Sequence, residues 1–191
     1  IRYPQMLGLL IDHGANIHVN GPYQTSILHD CDKSDICEML IQFGADPNAR
    51  DEHENTPLHK CSDAETAEVL IQHGADLSAR TYEGKQPLHN CMYVEVAKVL
   101  VKHGAEIDAK CDEGVTPLIS AISMGEFELA KYLIDNGADI HHQSNAYGES
   151  EKSPLFAAEK HIWDGNEEHQ VESRKNCEKI ADLLRSLGAT R

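Results

Sequence analysis

A Gly-Ala pair recurs along this chain of 191 residues and divides it into units of similar length. The first four intervals between its glycines are nearly equal and the last is longer; the glycines are Gly14, Gly44, Gly74, Gly104, Gly137 and Gly188. A second pattern begins at one fixed distance after each of the first four glycines, at Ser26 (SILH), Thr56 (TPLH), Gln86 (QPLH) and Thr116 (TPLI). It returns as SPLF at Ser153, slightly farther after Gly137. Two signals that stay in register over several copies predict an array of repeated structural units.

Each signal has a physical role at one end of a helix. Thr or Ser followed by Pro predicts a helix start, because the hydroxyl caps free backbone N–H groups and Pro fits the first helical position. Gly after an apolar run predicts a helix end, because Gly enters the left-handed region without steric cost. Each unit therefore has room for two short helices, and polar stretches such as GADPNARDEHEN predict exposed, hairpin-like loops between units.

The second helix of each unit carries one apolar face. Three columns of residues, counted back from each Gly, lie at the helical spacing i, i+1 and i+4. One column is Leu10, Leu40, Leu70, Leu100, Leu133 and Leu184; a mostly small one is Leu7, Cys37, Ala67, Ala97, Ala130 and Ala181; the third is Met6, Ile36, Thr66, Val96, Leu129 and Ile180. One helix pair cannot bury such a face alone, so we expect stacked neighbours to form the core.

The motifs TPLHKC (56–61), QPLHNC (86–91) and TPLISA (116–121) are each followed by a helix pattern and then by HGAD, HGAE or NGAD. These segments resemble ankyrin repeats, whose pattern is T-P-L-H-x-A with a period of about 33 residues. The resemblance covers about residues 3–143 and 153–189 and implies an all-α fold, an ankyrin-repeat solenoid of stacked helix-turn-helix pairs with hairpin-like loops. We divide the single array 1–191 into a half repeat 1–25, repeats at about 26–55, 56–85, 86–115 and 116–152, and a C-terminal capping repeat 153–191.

Departures from this pattern predict local differences. The stretches from cap residue to Gly at 26–44, 56–74 and 86–104 are shorter than the one at 116–137, so we expect a shortened first helix in these three repeats. In the capping repeat the same stretch runs from 153 to 188 and contains an insertion around 161–174, and the hairpin before it is longer, around 143–152. Trp163 lies in the insertion, where it either packs the loop onto the stack or anchors a partner.

The two ends of the array differ in pattern. Arg185 stands where other repeats have Ile or Val, and a polar outer face is what a terminal cap requires, so we interpret the last repeat as the C-terminal end. The first second-helix pattern, around Met6 to Ile11, has no first helix before it. We therefore expect at least half a repeat upstream, and with it a further domain that could carry an activity of its own.

Charge and cysteine content limit the partners and the compartment. Thirty-two acids and 17 bases give a net charge of −15, which disfavours nucleic acid and anionic membranes, and no apolar run is long enough to span a membrane. The charge either attracts a basic partner or only keeps a monomer in solution. The six cysteines do not resemble a small disulfide scaffold, so we interpret them as reduced thiols in a cytoplasmic protein.

A His-x-Cys triplet recurs once in each of the three short repeats, beginning at His29, His59 and His89. Zinc needs four ligands within about 2.0–2.3 Å, whereas residues i and i+2 of a helix point apart and packed helices are about 10 Å apart. We therefore expect no metal site or cofactor; the resemblance implies that the histidine ring bonds neighbouring backbone and that the cysteine replaces a buried alanine. His13, His73 and His103 precede glycines, and we expect them to cap last-turn carbonyls.

No pattern of a catalytic site is present: a nucleophile elbow, a P-loop, a Rossmann glycine motif and HExxH are all missing, so we predict that the chain is not an enzyme. Neighbouring carboxylates such as Asp51 and Glu52 fall on loop tips, where we expect no desolvation that would change a pKa.

The resemblance implies binding of a partner protein through hairpin tips and the exposed face of the first helices. The expected contact residues are Tyr23, Asp30, Asp51, Glu52, His53, Glu54, Lys60, Tyr82, Glu83, Asn90, Met92, Tyr93, Asp112, Glu113 and Trp163. Alternative functions are a regulatory or targeting domain of a larger enzyme or effector whose catalytic part lies upstream, and a stand-alone inhibitor or immunity-type protein. A metal-dependent function is the most distant alternative.

Overall fold

A computed structural model describes residues 3–144, 153–164 and 171–190, and these residues form helix pairs arranged in two layers. The outer layer contains the second helices, α1 (Tyr3–Asp12), α2 (Ser34–Gln42), α4 (Ala64–Gln72), α6 (Val94–Lys102), α8 (Phe127–Asp135) and α10 (Val171–Ser186). The inner layer contains the first helices, α3 (Pro57–Lys60), α5 (Pro87–Asn90), α7 (Pro117–Met124) and α9 (Pro154–Asp164). Within each layer, every helix packs on the next one along the chain. The described part of the chain is thus an all-α solenoid, as predicted.

The core lies between the two layers and follows the columns of the sequence. The leucine column is at most 1 % exposed at Leu40, Leu70, Leu100, Leu133 and Leu184. The prediction is wrong for the first copy, where Leu10 is 54 % and Met6 52 % exposed. The reason is geometric: among the described residues, α1 has no first helix of its own unit packed against this face.

The first helices differ in length as predicted. Helices α3 and α5 have four residues, whereas α7 has eight and ends at Gly125, whose φ of 73° is left-handed. After α3 and α5 the chain turns at once into extended backbone. The prediction of a helix after Ser26 is wrong, since residues 27–30 form only a turn. Ile27 stands there in place of the proline that starts the other inner helices, and it lacks the fixed φ that favours the first helical turn.

The motif histidines connect each short repeat to the hairpin that follows it. In each, Nδ1 accepts the backbone N–H of the residue three positions earlier, at 3.0 to 3.1 Å, and Nε2 contacts a carbonyl oxygen of the next hairpin. The pairs are His29 with Asn55 at 2.9 Å, His59 with Lys85 at 3.1 Å, and His89 with Val115 at 3.0 Å. These contacts confirm that the rings bond backbone.

The histidines before the glycines do not all behave alike. His13 Nδ1 lies 2.7 Å from the Leu9 carbonyl oxygen, which confirms the expected cap. His103 does not cap its own helix: its Nε2 lies 2.9 Å from Glu68 Oε1, one repeat earlier. The prediction for His103 is wrong because α4 and α6 pack side by side, which brings a carboxylate within its reach.

The insertion of the last repeat is partly helical. Residues 161–164 complete α9 and residues 171–174 begin α10, so the prediction of a loop across 161–174 is wrong at both of its ends. Trp163 belongs to α9, but its side chain lies outside the described part of the structure, as do residues 165–170 and the 145–152 portion of the longer hairpin. The polar cap residue Arg185 bonds Asp182 Oδ1 at 2.8 Å and Glu159 Oε1 at 2.9 Å.

Candidate functional site: a concave groove

Three hairpins of one geometry, 51–55, 81–85 and 111–115, project from one end of the helix pairs, next to a first tip at 21–25. Each of the three is closed across its base by a backbone hydrogen bond, from the Asp51 N–H to the Asn55 oxygen at 3.0 Å and equivalently in 81–85 and 111–115. Each also contains one left-handed residue, which is glycine in the second and third hairpins but Glu54, with φ of 61°, in the first. The repeated geometry places three similar tips side by side.

Backbone bonds join each hairpin tip to the next. The Glu52 N–H donates to the Tyr23 oxygen at 2.9 Å, the Tyr82 N–H to the His53 oxygen at 3.3 Å, and the Asp112 N–H to the Glu83 oxygen at 3.1 Å. Arginines strengthen this ladder, since Arg50 Nη1 donates to the Arg80 oxygen at 2.6 Å and Arg80 Nη1 to the Lys110 oxygen at 3.2 Å. The tips therefore form a continuous edge held in register by the main chain.

A concave groove of about 810 Å³ runs between this edge and the inner helices α3, α5 and α7. The residues that line the concave groove are Asn55, His59, Lys60, Tyr82, Glu83, Lys85, His89, Asn90, Cys111, Asp112, Glu113, Val115, Ser120, Ser123 and Met124. Tyr82 is its most exposed large hydrophobic side chain, 70 % accessible. The groove is therefore a surface of mixed polar and apolar character, with the Tyr82 side chain exposed at its rim.

The concave groove brings together only part of the expected contact residues. Six of them line it, namely Lys60, Tyr82, Glu83, Asn90, Asp112 and Glu113. His53 lies beside it in a smaller depression with Tyr82 and Glu83, and Glu52 and Glu54 share the same tip. Four others do not line it, namely Tyr23, Asp30, Met92 and Tyr93. Whether any of these residues binds a partner stays a prediction.

Asp51 is not an exposed tip residue, because it is only 3 % accessible. Its Oδ1 accepts the backbone N–H groups of His53 and Asn55, both at 2.9 Å, and its Oδ2 pairs with Lys60 Nζ at 2.8 Å. Burial opposes ionisation, but the bonds from Lys60 and Asn55 outweigh it and hold the pKa of Asp51 well below its ordinary range. The expectations of exposure and of an unperturbed pKa are therefore both wrong. Asp51 organises the hairpin and orients Lys60 toward the groove.

Most of the charged side chains that line the groove take part in ion pairs, either with one another or with residues next to the groove. Lys85 Nζ lies 2.6 Å from Glu83 Oε2, and Arg80 Nη2 lies 2.9 Å from Asp112 Oδ1. The histidines at the floor are uncharged near neutral pH, because desolvation lowers the pKa of His59 to about 4 and also lowers that of His89. The described residues contain no group of three or more His, Cys, Asp or Glu side chains able to hold a metal ion.

The six cysteine thiols are free, and most behave as small core groups. Burial raises the pKa of Cys61 and of Cys91 to about 11. Cys31 differs, because a hydrogen bond with Cys37 lowers the pKa of its thiol to about 7. The half-buried Cys31 is therefore the thiol with the most thiolate character among those whose pKa is shifted, and it lies outside the concave groove.

Three groove residues of α7 were not among the contact residues predicted from the sequence: Ser120, Ser123 and Met124. For Ser120 a signal was available, since Lys60, Asn90 and Ser120 occupy one column, at equivalent positions of consecutive repeats. Ser123 and Met124 reach the groove only because α7 continues beyond the point at which α3 and α5 end. The repeat pattern gives no equivalent position for them in the shorter repeats.

The sequence of this chain matches a model of a known protein family, and the match agrees with the stacked helix pairs of the structure. A family model described as "Ankyrin repeats (3 copies)" matches three overlapping segments, residues 2–81, 28–111 and 65–144. The chain belongs to the ankyrin-repeat family. Ankyrin repeats are generally protein–protein interaction modules and are typically non-catalytic. A search of curated proteins finds no match to this ankyrin-repeat chain. Within the ranges that the structure describes, no helix has the length and hydropathy needed to cross a bilayer.

Proposed function

We propose that this ankyrin-repeat protein binds a partner protein in the concave groove, through the hairpin tips 82–83 and 112–113 and the inner-helix column Lys60, Asn90 and Ser120. The observation that carries the proposal is that the hairpins and three inner helices enclose one continuous groove on a backbone already held in register. Little ordering is then needed on binding, which favours affinity.

Tyr82 is the proposed anchor. Its side chain is 70 % exposed and lines the same groove as Glu83 and Glu113. Aromatic side chains contribute strongly to interfaces when a partner desolvates them. The acidic residues around Tyr82 and the net charge of −15 favour a partner of basic or mixed surface charge. Lys60 and Asn90 supply hydrogen-bond donors at the floor.

Photo-crosslinking followed by affinity measurement tests the proposal. A photoreactive phenylalanine analogue placed at position 82 captures the partner, which is then identified and purified. For that partner, Tyr82→Ala should raise the dissociation constant by about 30-fold, the effect of losing an interface hot spot of about 2 kcal/mol. Glu113→Lys should also weaken the binding of a basic partner and make the affinity less dependent on salt.

Tyr23→Ala is the matched control, since Tyr23 is 68 % exposed on the first tip, 21–25, but does not line the concave groove. The proposal requires the partner to lose affinity with Tyr82→Ala and to keep it with Tyr23→Ala. Equal losses in the two variants would place binding along the outer edge of the tips. No loss in either variant would overturn the assignment of the groove.

A further inference from the structure

A second groove lies at the opposite end of the helix pairs, where the inner helices turn into the outer ones. Its volume is about 550 Å³, and it is lined by residues 62–65, 92–95, 126, 128 and 129. We call it the turn-side groove. It shares no residue with the concave groove, so it does not depend on the function proposed above.

The turn-side groove follows from the difference in helix length between the repeats. Helix α7 is four residues longer than α5, which corresponds to about 6 Å at about 1.5 Å per residue. The turn at Gly125 and Glu126 therefore extends beyond the turns at 61–63 and 91–93. This step leaves an edge against which an extended chain can lie.

The centre of the turn-side groove is apolar and exposed. Met92 is 51 % and Tyr93 53 % accessible, although both follow directly on the buried Cys91. Val94 is half-buried beside them, and Leu129 is 1 % exposed at the floor. An unbranched thioether next to an aromatic ring adapts to different apolar side chains. These residues form a small apolar patch that nothing else in the described structure covers.

Carboxylates surround this patch from three consecutive repeats. They are Asp63, Glu65, Glu95, Glu126 and Glu128, and none of the described residues that line the groove is Lys, Arg or His. Two lysines of the helices that line the groove are already paired: Lys131 with Asp135, outside the groove, at 2.9 Å, and Lys98 with the groove residue Glu95 at 2.6 Å. The Lys98–Glu95 pair is exposed and joins neighbouring turns of one helix, so it is weak and readily exchanged for another cation.

We infer that the turn-side groove binds a basic, extended segment of another protein that carries at least one large apolar side chain. The apolar side chain would lie on Met92 and Tyr93, and flanking Lys or Arg side chains would pair with Glu65, Glu95, Glu126 and Glu128. A guanidinium can also stack on the Tyr93 ring. The acidic rim disfavours a nucleic acid and a second copy of this acidic chain, because both would bring like charge.

A labelled peptide of alternating arginine and leucine is the probe, and a peptide of alternating glutamate and leucine is the reference. Fluorescence anisotropy should show saturable binding of the arginine peptide alone, weakening as salt is added. The charge reversal Glu126→Lys with Glu128→Lys should raise its dissociation constant by at least about tenfold. Met92→Ala with Tyr93→Ala should have a similar effect.

Two controls separate a site from a general effect of net charge. Glu38→Lys with Glu106→Lys makes the same change of charge at exposed positions outside the turn-side groove and should leave the affinity within about twofold. Tyr82→Ala should also leave it unchanged, so failure of this inference is distinguishable from failure of the concave-groove proposal. Melting temperatures of all variants establish that they are folded.

Amide chemical shifts in two-dimensional NMR locate the probe. Addition of the arginine peptide should shift the amides of 92–95 and 126–129 and leave those of 82–85 in place. The inference is overturned if the shifts spread over the acidic surface or concentrate at 82–85. It is also overturned if the Glu38 and Glu106 reversals weaken binding as much as those in the groove, or if sedimentation shows self-association in place of peptide binding.

Discussion

The short repeats, such as 56–85 and 86–115, and the longer repeat that begins at Thr116 connect to their neighbours through different side chains. In the short repeats a buried histidine bonds both its own cap residue and the next hairpin. In the longer repeat the equivalent position is Ile119, 2 % exposed, within an eight-residue helix whose Ile122 is also buried. In one solenoid, neighbouring repeats are thus held together by a polar histidine link in the short repeats and by a longer apolar helix in the longer repeat. The comparison shows that repeats of one family need not be stabilised by the same interactions.

The largest expected effect tests whether the apolar core is the same in both kinds of repeat. Leu88 and Leu118 occupy the same motif position and are 1 % and 0 % exposed. Each substitution, Leu88→Ala or Leu118→Ala, should lower the free energy of unfolding by about 3–5 kcal/mol, because each leaves a cavity in a close-packed core. Urea unfolding followed by circular dichroism measures both. A loss for Leu88→Ala below half that for Leu118→Ala would mean that the short repeats are more loosely packed.

Acid should destabilise the short repeats selectively. His59 is neutral when folded, and its pKa falls from 6.5 to about 4. The unfolded chain therefore binds the proton more tightly, so stability is present above about pH 6.5 and is lost as the pH falls toward 4. The loss for His59 is about 3 kcal/mol, at about 1.4 kcal/mol for each tenfold change in proton affinity. The pKa of His89 is lowered as well. Protonation of Asp51 lowers the stability only below the ordinary pKa of its carboxyl, 3.8, and so outside this pH range.

The measurement for this prediction is the free energy of unfolding at intervals from pH 7 to pH 4. His59→Gln removes one titrating group and should make the profile shallower by roughly the contribution of His59. An unchanged profile would show that His59 is not the group that titrates.

The stability cost of a substitution should differ between His59, which forms the polar link, and Ile119, which occupies the same motif position in the longer repeat. His59→Leu leaves the Thr56 N–H and the Lys85 carbonyl without the imidazole and should cost about 2 kcal/mol. Ile119→Leu preserves volume and should cost about 1 kcal/mol. Thermal unfolding of the two variants gives the comparison. Equal losses would remove the distinction between the two kinds of repeat.

The smallest effect concerns the hairpins in front of the two kinds of repeat. Glu54 adopts φ of 61° before a short repeat, whereas the hairpin before the longer repeat has Gly114 with φ of 73°. Glu54→Gly should raise the free energy of unfolding by about 1 kcal/mol, because a left-handed conformation is strained for a residue with a side chain. The matched change Gly84→Ala should lower it, because φ of 74° is strained for a residue with a side chain and the added Cβ would displace the paired side chains of Asp112 and Arg80. Destabilisation by Glu54→Gly would contradict this account of the turn.

The positions of several candidate residues in the fold could be predicted from the repeat pattern together with the family resemblance. Lys60 and Asn90 follow the motif histidine and face the concave groove, and Tyr82 and Glu113 lie on its hairpin tips, as the pattern predicts. Asp51 could not be distinguished from these tip residues, because its burial depends on Lys60, which lies on another element. Met92 and Tyr93 were expected just beyond the exposed first-helix positions of the same binding surface, but the turn after the short α5 carries them to the other end of the helix pairs.

By itself the sequence determined the repeat period, the stacked helix pairs and the shortened inner helices, whereas the bonding role of the motif histidines was implied by the family resemblance. These features arise from caps, turns and apolar spacing within about one repeat. Interactions between residues that are close in the sequence can be predicted from the sequence pattern. Tertiary structure alone decided that Asp51 is buried, that His103 bonds Glu68, and that carboxylates from three repeats surround Met92 and Tyr93. Each of these depends on contacts between different helices and hairpins, which the pattern of caps and apolar residues within one element does not encode.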